Sequence, residues 1–351
     1  MLAEPFDPSY LVWVLQGARE GDNAQARALA AKLEAAIILK RLAWSWPHHL
    51  PNAILGASLA GVDHENSDRL TPPWPDAVVA VGRRAAPVAL WIKRQSGGRT
   101  RLIHLGRPRM PLAWFDLVIT TPQYGLPGRP NVIRALLPAT TSSTNPASET
   151  WQSRFASLPR PWTGVLVGGA TFPFRLGRSE AVKLGQALRS YQSRTGGSLL
   201  VSTSPRSGHQ VAEALSAAIG PQAYVHRWTK QGENPHRFIL SEADRFIVTE
   251  DSVSMLAEAC RSHKLVEIFP LPRWPLAWSW SAEKGVAAAL ARLGLLSPPR
   301  NVRRLREELI RHGHARLLGQ DARQAFTAYD DEWDSIARHA GALLQSSAHG
   351  H

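Results

Sequence analysis

Short apolar runs rich in β-branched residues alternate along this chain with segments whose apolar residues recur at helical spacing. Strands are predicted at Tyr10 to Leu15, Ala36 to Lys40, Ala77 to Val81, Leu102 to Leu105, Asp116 to Thr120 and Val132 to Leu136. Between them, Asn23 to Ala36 reads as a helix with Asp22 as its N-cap, and Arg83 to Gln95 as a second. Ala139 to Pro161 is rich in Ser, Thr and Pro and reads as a connector. The alternation then restarts, with strands at Gly164 to Val167, Ser198 to Ser202, Ala223 to His226, Phe246 to Thr249 and Leu265 to Phe269. Helices are predicted at Ser179 to Arg194, Ser207 to Ile219 and Ser252 to Cys260. Two βαβ series imply an α/β protein of two doubly wound, Rossmann-like domains facing a cleft. The expected division is 1–150, 151–298 and a helical extension, 299–351.

Composition narrows the partners. Lys and Arg number 41 against 28 Asp and Glu, a net charge of +13. That excess admits nucleic acid, an anionic membrane surface or phosphorylated small molecules. Nucleic acid ranks last, because the basic residues are dispersed and no recognised module is present. The lone cysteine, Cys260, excludes a disulfide framework and a multi-thiolate metal site. The histidines show neither HExxH nor zinc-ligand spacing, so no metal and no cofactor are expected. A Gly-x-Ser-x-Gly elbow is absent. No apolar run reaches the roughly 20 residues that span a bilayer, and the opening MLAEPFDPSY has no signal-peptide core, so a cytoplasmic protein is expected.

Five segments follow strands where chemistry belongs in such a fold. Gly17 and Gly21 flank a strand-to-helix turn, with Asp22 and Asn23 directly after. The pattern is neither a Rossmann fingerprint nor a P-loop, and it also fits a tight turn with an Asp cap. Gly168-Gly169, with Thr171 beyond, repeats the device after the first strand of the second half. Asp251, Ser252, Val253 and Ser254 open a helix that carries Glu258 two turns in. Its free N–H groups suit a phosphate and its carboxylate a ribose diol, though an ordinary capped helix fits equally. Asn234 sits in Gln231-Gly232-Glu233-Asn234-Pro235-His236, a base-reading loop or a plain turn. Ser204 and Arg206 offer a hydroxyl and a guanidinium to a phosphate, or simply start a helix.

Taken together, VTEDSVSMLAEAC, GENPH and STSPRSG, with GAREGDNAQARALAAKL and FDLVITTPQYGLPGRPNVI upstream, resemble the ELM-type mitochondrial-fission proteins. That family is similar to two-domain GT-B glycosyltransferases, above all the peripheral-membrane enzyme that adds N-acetylglucosamine to a lipid-linked peptidoglycan precursor. The resemblance implies a nucleotide-sugar donor on the C-terminal domain and an acceptor on the N-terminal one. Gly168 and Gly169 would then face the donor phosphates, the Ser252 and Val253 amides would hold the diphosphate, Glu258 the ribose, and Asp22 would be the general base. Two positions depart from the family pattern: Pro205 precedes a single Arg206 where an arginine pair is usual, and Gln123-Tyr124 replaces a His-Asp pair.

The expected function is therefore an inverting, metal-independent glycosyltransferase using a nucleotide-diphosphate sugar, a UDP-sugar among them, on a lipid-linked or cell-envelope acceptor. Arg206 and Arg175 are candidates to neutralise the leaving diphosphate. The alternatives are a nucleotide-sugar 2-epimerase of the same architecture and a non-catalytic membrane-surface scaffold. A stripe of Val302, Leu305 and Leu309 flanked by arginines, with Trp274, Trp278 and Trp280 upstream, predicts peripheral association with an anionic membrane, unless the stripe packs inside.

Overall fold

Strands that are apolar on both faces need a layer of helices on each side, and this requirement shapes both halves of the chain. The computed structural model describes residues 10–140, 149–220, 223–274, 300–320 and 325–348, in two units. The N-terminal unit comprises 1–141, 281–300 and 331–351, and the C-terminal unit 142–280 and 301–330. The segment expected as a separate extension, 299–351, is thus shared between the two units.

In the N-terminal unit the strands are β1 (Leu11–Gln16), β2 (Ala36–Arg41), β3 (Ala43–Trp44), β4 (Val62–Asp63), β5 (Ala77–Val81), β6 (Arg101–Leu105), β7 (Leu117–Thr120) and β8 (Val132–Arg134). A parallel sheet runs β2-β1-β5-β6-β7-β8, with Val14 beside Leu39 on one side and Val79 on the other. The chain leaves β1 outward to β2, then returns to β5 on the opposite side, so the topological switch lies between β1 and β5. β3 and β4 form a separate antiparallel pair. The helices are α1 (Glu20–Ala30), the short α2 (Asn52–Leu55) and α3 (Gly82–Gln95).

α1 begins earlier than its sequence predicts. Its N-cap is Arg19, and Asp22 lies in the first turn. The reason is Asn23, whose Oδ1 accepts the Gly17 N–H at 2.9 Å while its Nδ2 donates to the Gly17 carbonyl at 2.8 Å. This side chain closes the turn that Asp22 was expected to cap.

In the C-terminal unit α4 (Glu149–Phe155) is followed by β9 (Trp162–Val167), α5 (Arg178–Thr195), β10 (Ser198–Thr203), α6 (His209–Ile219) and β11 (Ala223–His226). Then come α7 (His236–Glu242), β12 (Arg245–Thr249), α8 (Val253–Arg261), β13 (Val266–Phe269), α9 (Val302–Arg311) and β14 (Arg316–Leu317). The parallel sheet is ordered β11-β10-β9-β12-β13-β14, so its switch point lies between β9 and β12. α4 falls within the expected connector. Its Trp151 and Phe155 are buried in an aromatic cluster with Tyr224, Trp162 and Phe238, a packing incentive that the flanking Ser/Thr composition hides.

The last helix, α10 (Trp333–Ala348), returns to the N-terminal unit, where Trp333, Ile336, Ala337, Ala340 and Leu344 complete the core under β1 and α1. The Trp333 indole donates to the Leu137 carbonyl at 2.9 Å.

The membrane stripe is corrected. On α9, Leu305 and Leu309 are fully buried, and Val302, 7% exposed, joins the core of the C-terminal unit. Arg306 ion-pairs with buried Glu250 at 3.0 Å. Trp274 is half exposed beneath the Arg175 guanidinium, and Trp278 and Trp280 lie outside the described residues. Among the described residues no helix is long and apolar enough to cross a membrane.

Candidate functional site

Both switch points open at the carboxyl ends of strands, where such sheets bind ligands because diverging loops leave a crevice there. In the N-terminal unit the crevice is a cavity of about 340 Å³. Its walls come from the segments after β1 (Gln16 to Asn23), after β5 (Gly82 to Ala85) and after β6 (Arg107, Arg109), with Tyr124 and Arg300. Every one of these segments follows a strand, so the sheet's topology gathers residues that lie far apart in sequence.

Arginine dominates the lining. Arg19, Arg83, Arg84, Arg107, Arg109 and Arg300 face a single carboxylate, Asp22. Arg83 is anchored by donating to the carbonyls of His48 and Leu50, and Arg107 donates to the Tyr124 carbonyl. The Arg300 guanidinium lies 5.1 Å from the centre of the Tyr124 ring. Burial, joined by repulsion from Arg83, Arg107, Arg300 and Arg19, lowers the Arg109 pKa to about 10. Arg109 also adopts φ 57°, a left-handed conformation that costs a non-glycine residue about 1–3 kcal/mol. Tyr124 titrates above its ordinary range, because burial and the Asp22 charge oppose phenolate more than Arg300, Arg107 and Arg19 favour it.

Of the residues expected here, Asp22 lines the cavity and Gly21 lies on the exposed first turn of α1. Gly17 lines it too, yet both its backbone groups are taken by Asn23. Sequence reading missed all six cavity arginines and Tyr124 as site residues. The available signal was arginine directly after a strand, in Gly82-Arg83-Arg84 and Gly106-Arg107-Pro108-Arg109.

At the C-terminal switch point, loops after β9, β10 and β12 are tied together. The Gly168 N–H donates to Thr249 Oγ1 at 2.8 Å and the Gly169 N–H to Asp251 Oδ2 at 2.7 Å. Ser204 Oγ donates to the Gly168 carbonyl at 2.8 Å. A side chain at Gly168 would come within 2.3 Å of Asp251 Oδ2, and one at Gly169 within 2.3 Å of Arg206 Cβ. The two glycines therefore admit close packing, and their amides have acceptors in Thr249 and Asp251. Asp251 is 4% exposed, and burial raises its pKa against the pull of the Gly169 N–H.

Beyond this knot the remaining predicted residues are arrayed around α7 and α8. Ser252 is the N-cap of α8 without a side-chain capping bond, so the Val253 and Ser254 amides open its first turn. Glu258 Oε2 lies 2.8 Å from His236 Nε2, and Asn234 Oδ1 accepts the His236 N–H at 2.9 Å. Arg206 Nη1 donates to Thr171 Oγ1 at 3.0 Å. Arg175 instead pairs with Glu180 at 3.1 Å, at the start of α5, which engages it structurally.

Two units, each a doubly wound parallel sheet of six strands, define a GT-B-like fold. The chain belongs to the mitochondrial fission ELM1 family, whose model matches residues 20–341. It is 27% identical over 243 residues to mitochondrial fission protein ELM1 of Arabidopsis thaliana, covering 62% of this chain and 56% of that protein. The chain thus spans little more than half the length of that relative. It is also 23% identical over 299 residues to the uncharacterized protein RP120 of Rickettsia prowazekii (strain Madrid E), covering 75% of this chain and 84% of the other. Among solved structures it resembles the UDP complex of S. aureus MnaA at 12% identity and a TM-score of 0.51, covering 96% of this chain and 97% of that one. UDP-GlcNAc 2-epimerase from Neisseria meningitidis bound to UDP-GlcNAc matches at 12% identity and a TM-score of 0.50, covering 95% and 100%. Likeness at such identity is likeness of fold.

Proposed function

We propose that this protein is an inverting glycosyltransferase that takes a sugar from a nucleotide-diphosphate donor. The donor sits on the C-terminal unit, its diphosphate at the Ser252, Val253 and Ser254 amides with Arg206, and its ribose at Glu258. Helix N-termini and a guanidinium supply the positive potential that a leaving diphosphate requires. The acceptor sits in the arginine-lined cavity of the N-terminal unit, on a lipid-linked or cell-envelope glycan. Asp22 takes the proton of the acceptor hydroxyl, whose oxygen then forms the new bond to the anomeric carbon as the bond to the diphosphate breaks. The observation carrying this reading is that Asp22 is the one carboxylate among the described residues lining that cavity. A lone base suits the deprotonation of a hydroxyl.

A second reading, nucleotide-sugar 2-epimerisation, is favoured by the fold likeness to a UDP-GlcNAc 2-epimerase over 95% of the chain. Epimerisation must remove and return a proton on opposite faces of the sugar and so calls for several acid/base groups. Incubation with UDP-GlcNAc alone distinguishes the two: formation of the 2-epimer without an acceptor supports epimerisation, and UDP release only with an acceptor supports transfer. A thermal-shift screen across UDP-, GDP-, ADP- and CMP-sugars identifies the donor, since a ligand bound to the native state alone raises Tm. No stabilisation by any of them would remove the donor assignment.

A further inference from the structure

We infer that the arginine-lined cavity of the N-terminal unit is a seat for a diphosphate ester, borne by the same acceptor molecule whose hydroxyl meets Asp22. This inference rests on the transferase reading for the acceptor's role, but the seat itself stands on separate observations.

The first is charge. Six arginines and one aspartate line the cavity, a balance of 6 − 1 = +5 around one open crevice. Several half-buried cations elsewhere meet carboxylates, as Arg306 meets Glu250, Arg316 meets Glu267, and Lys93 and Arg101 share Asp116. Within the described residues half-buried Arg84 and Arg109 have no such partner, nor have Arg19 and Arg300 on the exposed rim. A fold that gathers cations without counterions is poised for an anionic ligand that supplies them.

A second observation is an orphan donor. Gln16, 8% exposed, ends β1 at the cavity wall, and its Nε2 is buried with no hydrogen-bond acceptor. A buried amide left in that state is costly unless a ligand oxygen completes it. The left-handed backbone at Arg109 is a third, since strain of this kind persists where the surroundings impose it and clusters at ligand clamps.

Size and number point to a diphosphate. The cavity's 340 Å³ corresponds to the liquid volume of about eleven waters, more than one phosphate fills. Guanidinium groups bind phosphate oxygens in pairs, and four uncompensated arginines offer more donors than the oxygens of one phosphate can accept. Asp22 in the same crevice cannot be the phosphate ligand; its like charge keeps the anion toward the arginines and leaves the carboxylate to the hydroxyl.

The test uses the full chain with inorganic pyrophosphate, soluble geranyl diphosphate and neutral phosphatidylcholine vesicles carrying a polyprenyl diphosphate, binding being measured by calorimetry and vesicle flotation. Arg109→Gln and Arg300→Gln are each expected to weaken binding at least tenfold. Affinity should also fall as salt rises, and the Arg109→Gln Tm should not fall, because the substitution relieves repulsion. UDP affinity should persist in both variants and drop in Glu258→Ala. Equal binding of the diphosphates by wild type and both folded variants would overturn the seat. Loss of UDP affinity in the cavity variants but not in Glu258→Ala would mean the cavity holds the donor, overturning the acceptor assignment. Diphosphate binding that depends on Arg109 while Glu258→Ala leaves UDP affinity intact would retain the seat and reject the proposed donor site. Tighter binding to vesicles than to geranyl diphosphate assigns the ester to a lipid, and binding of the soluble ester alone assigns it to a soluble acceptor; both retain the seat.

Discussion

The imidazole of His236 meets the carboxylate of Glu258 at 2.8 Å, linking the first turn of α7 to α8. The contact engages one oxygen of a glutamate whose side chain is one-third exposed. Glu258→Ala should therefore weaken nucleotide binding by about 1–3 kcal/mol, as expected for lost charge-assisted bonds to a diol. Calorimetry with UDP checks this, and an unchanged affinity would remove the ribose assignment.

Asp22→Asn separates base from scaffold. As Asp22 is not the cap of α1, the substitution should leave the helix formed, with a modest fall in Tm from the arginine charge that Asp22 no longer offsets. Turnover with an identified acceptor should drop by about 10²–10⁴ while donor affinity holds. Full activity in this variant would show that another group takes the proton.

Gly168→Ala and Gly169→Ala test the packing role of the glycine pair. Each added methyl meets atoms at 2.3 Å, so overpacking should cost about 1–3 kcal/mol in urea unfolding. Wild-type stability with impaired nucleotide binding would instead return the pair to the ligand.

Glu180 gives the C-terminal unit an acid-sensitive joint. Burial pushes its carboxyl up, but the Gly177 N–H at 2.9 Å and the Arg175 guanidinium pull it down further, to about 2. Its stabilisation is therefore complete above the ordinary value of 4.5 and is lost as pH falls through 2. Glu180→Gln should lower stability by about 1–3 kcal/mol at pH 7 and less as the pH approaches 2. A pH-independent difference between the two proteins would contradict the assignment.

Leu305→Ala decides the fate of the α9 stripe. Leu305 is fully buried, so truncation should cost about 2–5 kcal/mol. Vesicle binding, if any, should be unaffected at matched folded fraction; loss of vesicle binding without loss of stability would restore a membrane role for the stripe.

Much of this architecture was legible because parallel strands buried on both faces announce themselves as apolar runs. Ala77 to Val81 matches β5 at both ends, and both switch-point loops were recognisable as glycines after a first strand. Helix starts were less so: Asp22 looks like a cap, but the Asn23 bond to Gly17 is tertiary in character and moves the boundary. The stripe on α9 has the periodicity of an interfacial helix, and only the neighbouring core reveals which way it faces. The cavity was the least legible, since Arg19, Arg84 and Arg109 converge through sheet order and not through spacing.

The return of α10 to the N-terminal unit sets a timetable for the chain during synthesis. Trp333, Ile336 and Ala340 close the core against β1 and α1, so strands made early wait for a helix made much later. While the ribosome is still working, the face of the first sheet that these residues cover stays open, with Val12, Val14 and Leu29 at hand for association with other nascent apolar surfaces. The C-terminal unit waits only for residues up to 330 and so has its full complement of chain earlier than the N-terminal unit. The half of the molecule that is translated first is in this sense the half that finishes folding last.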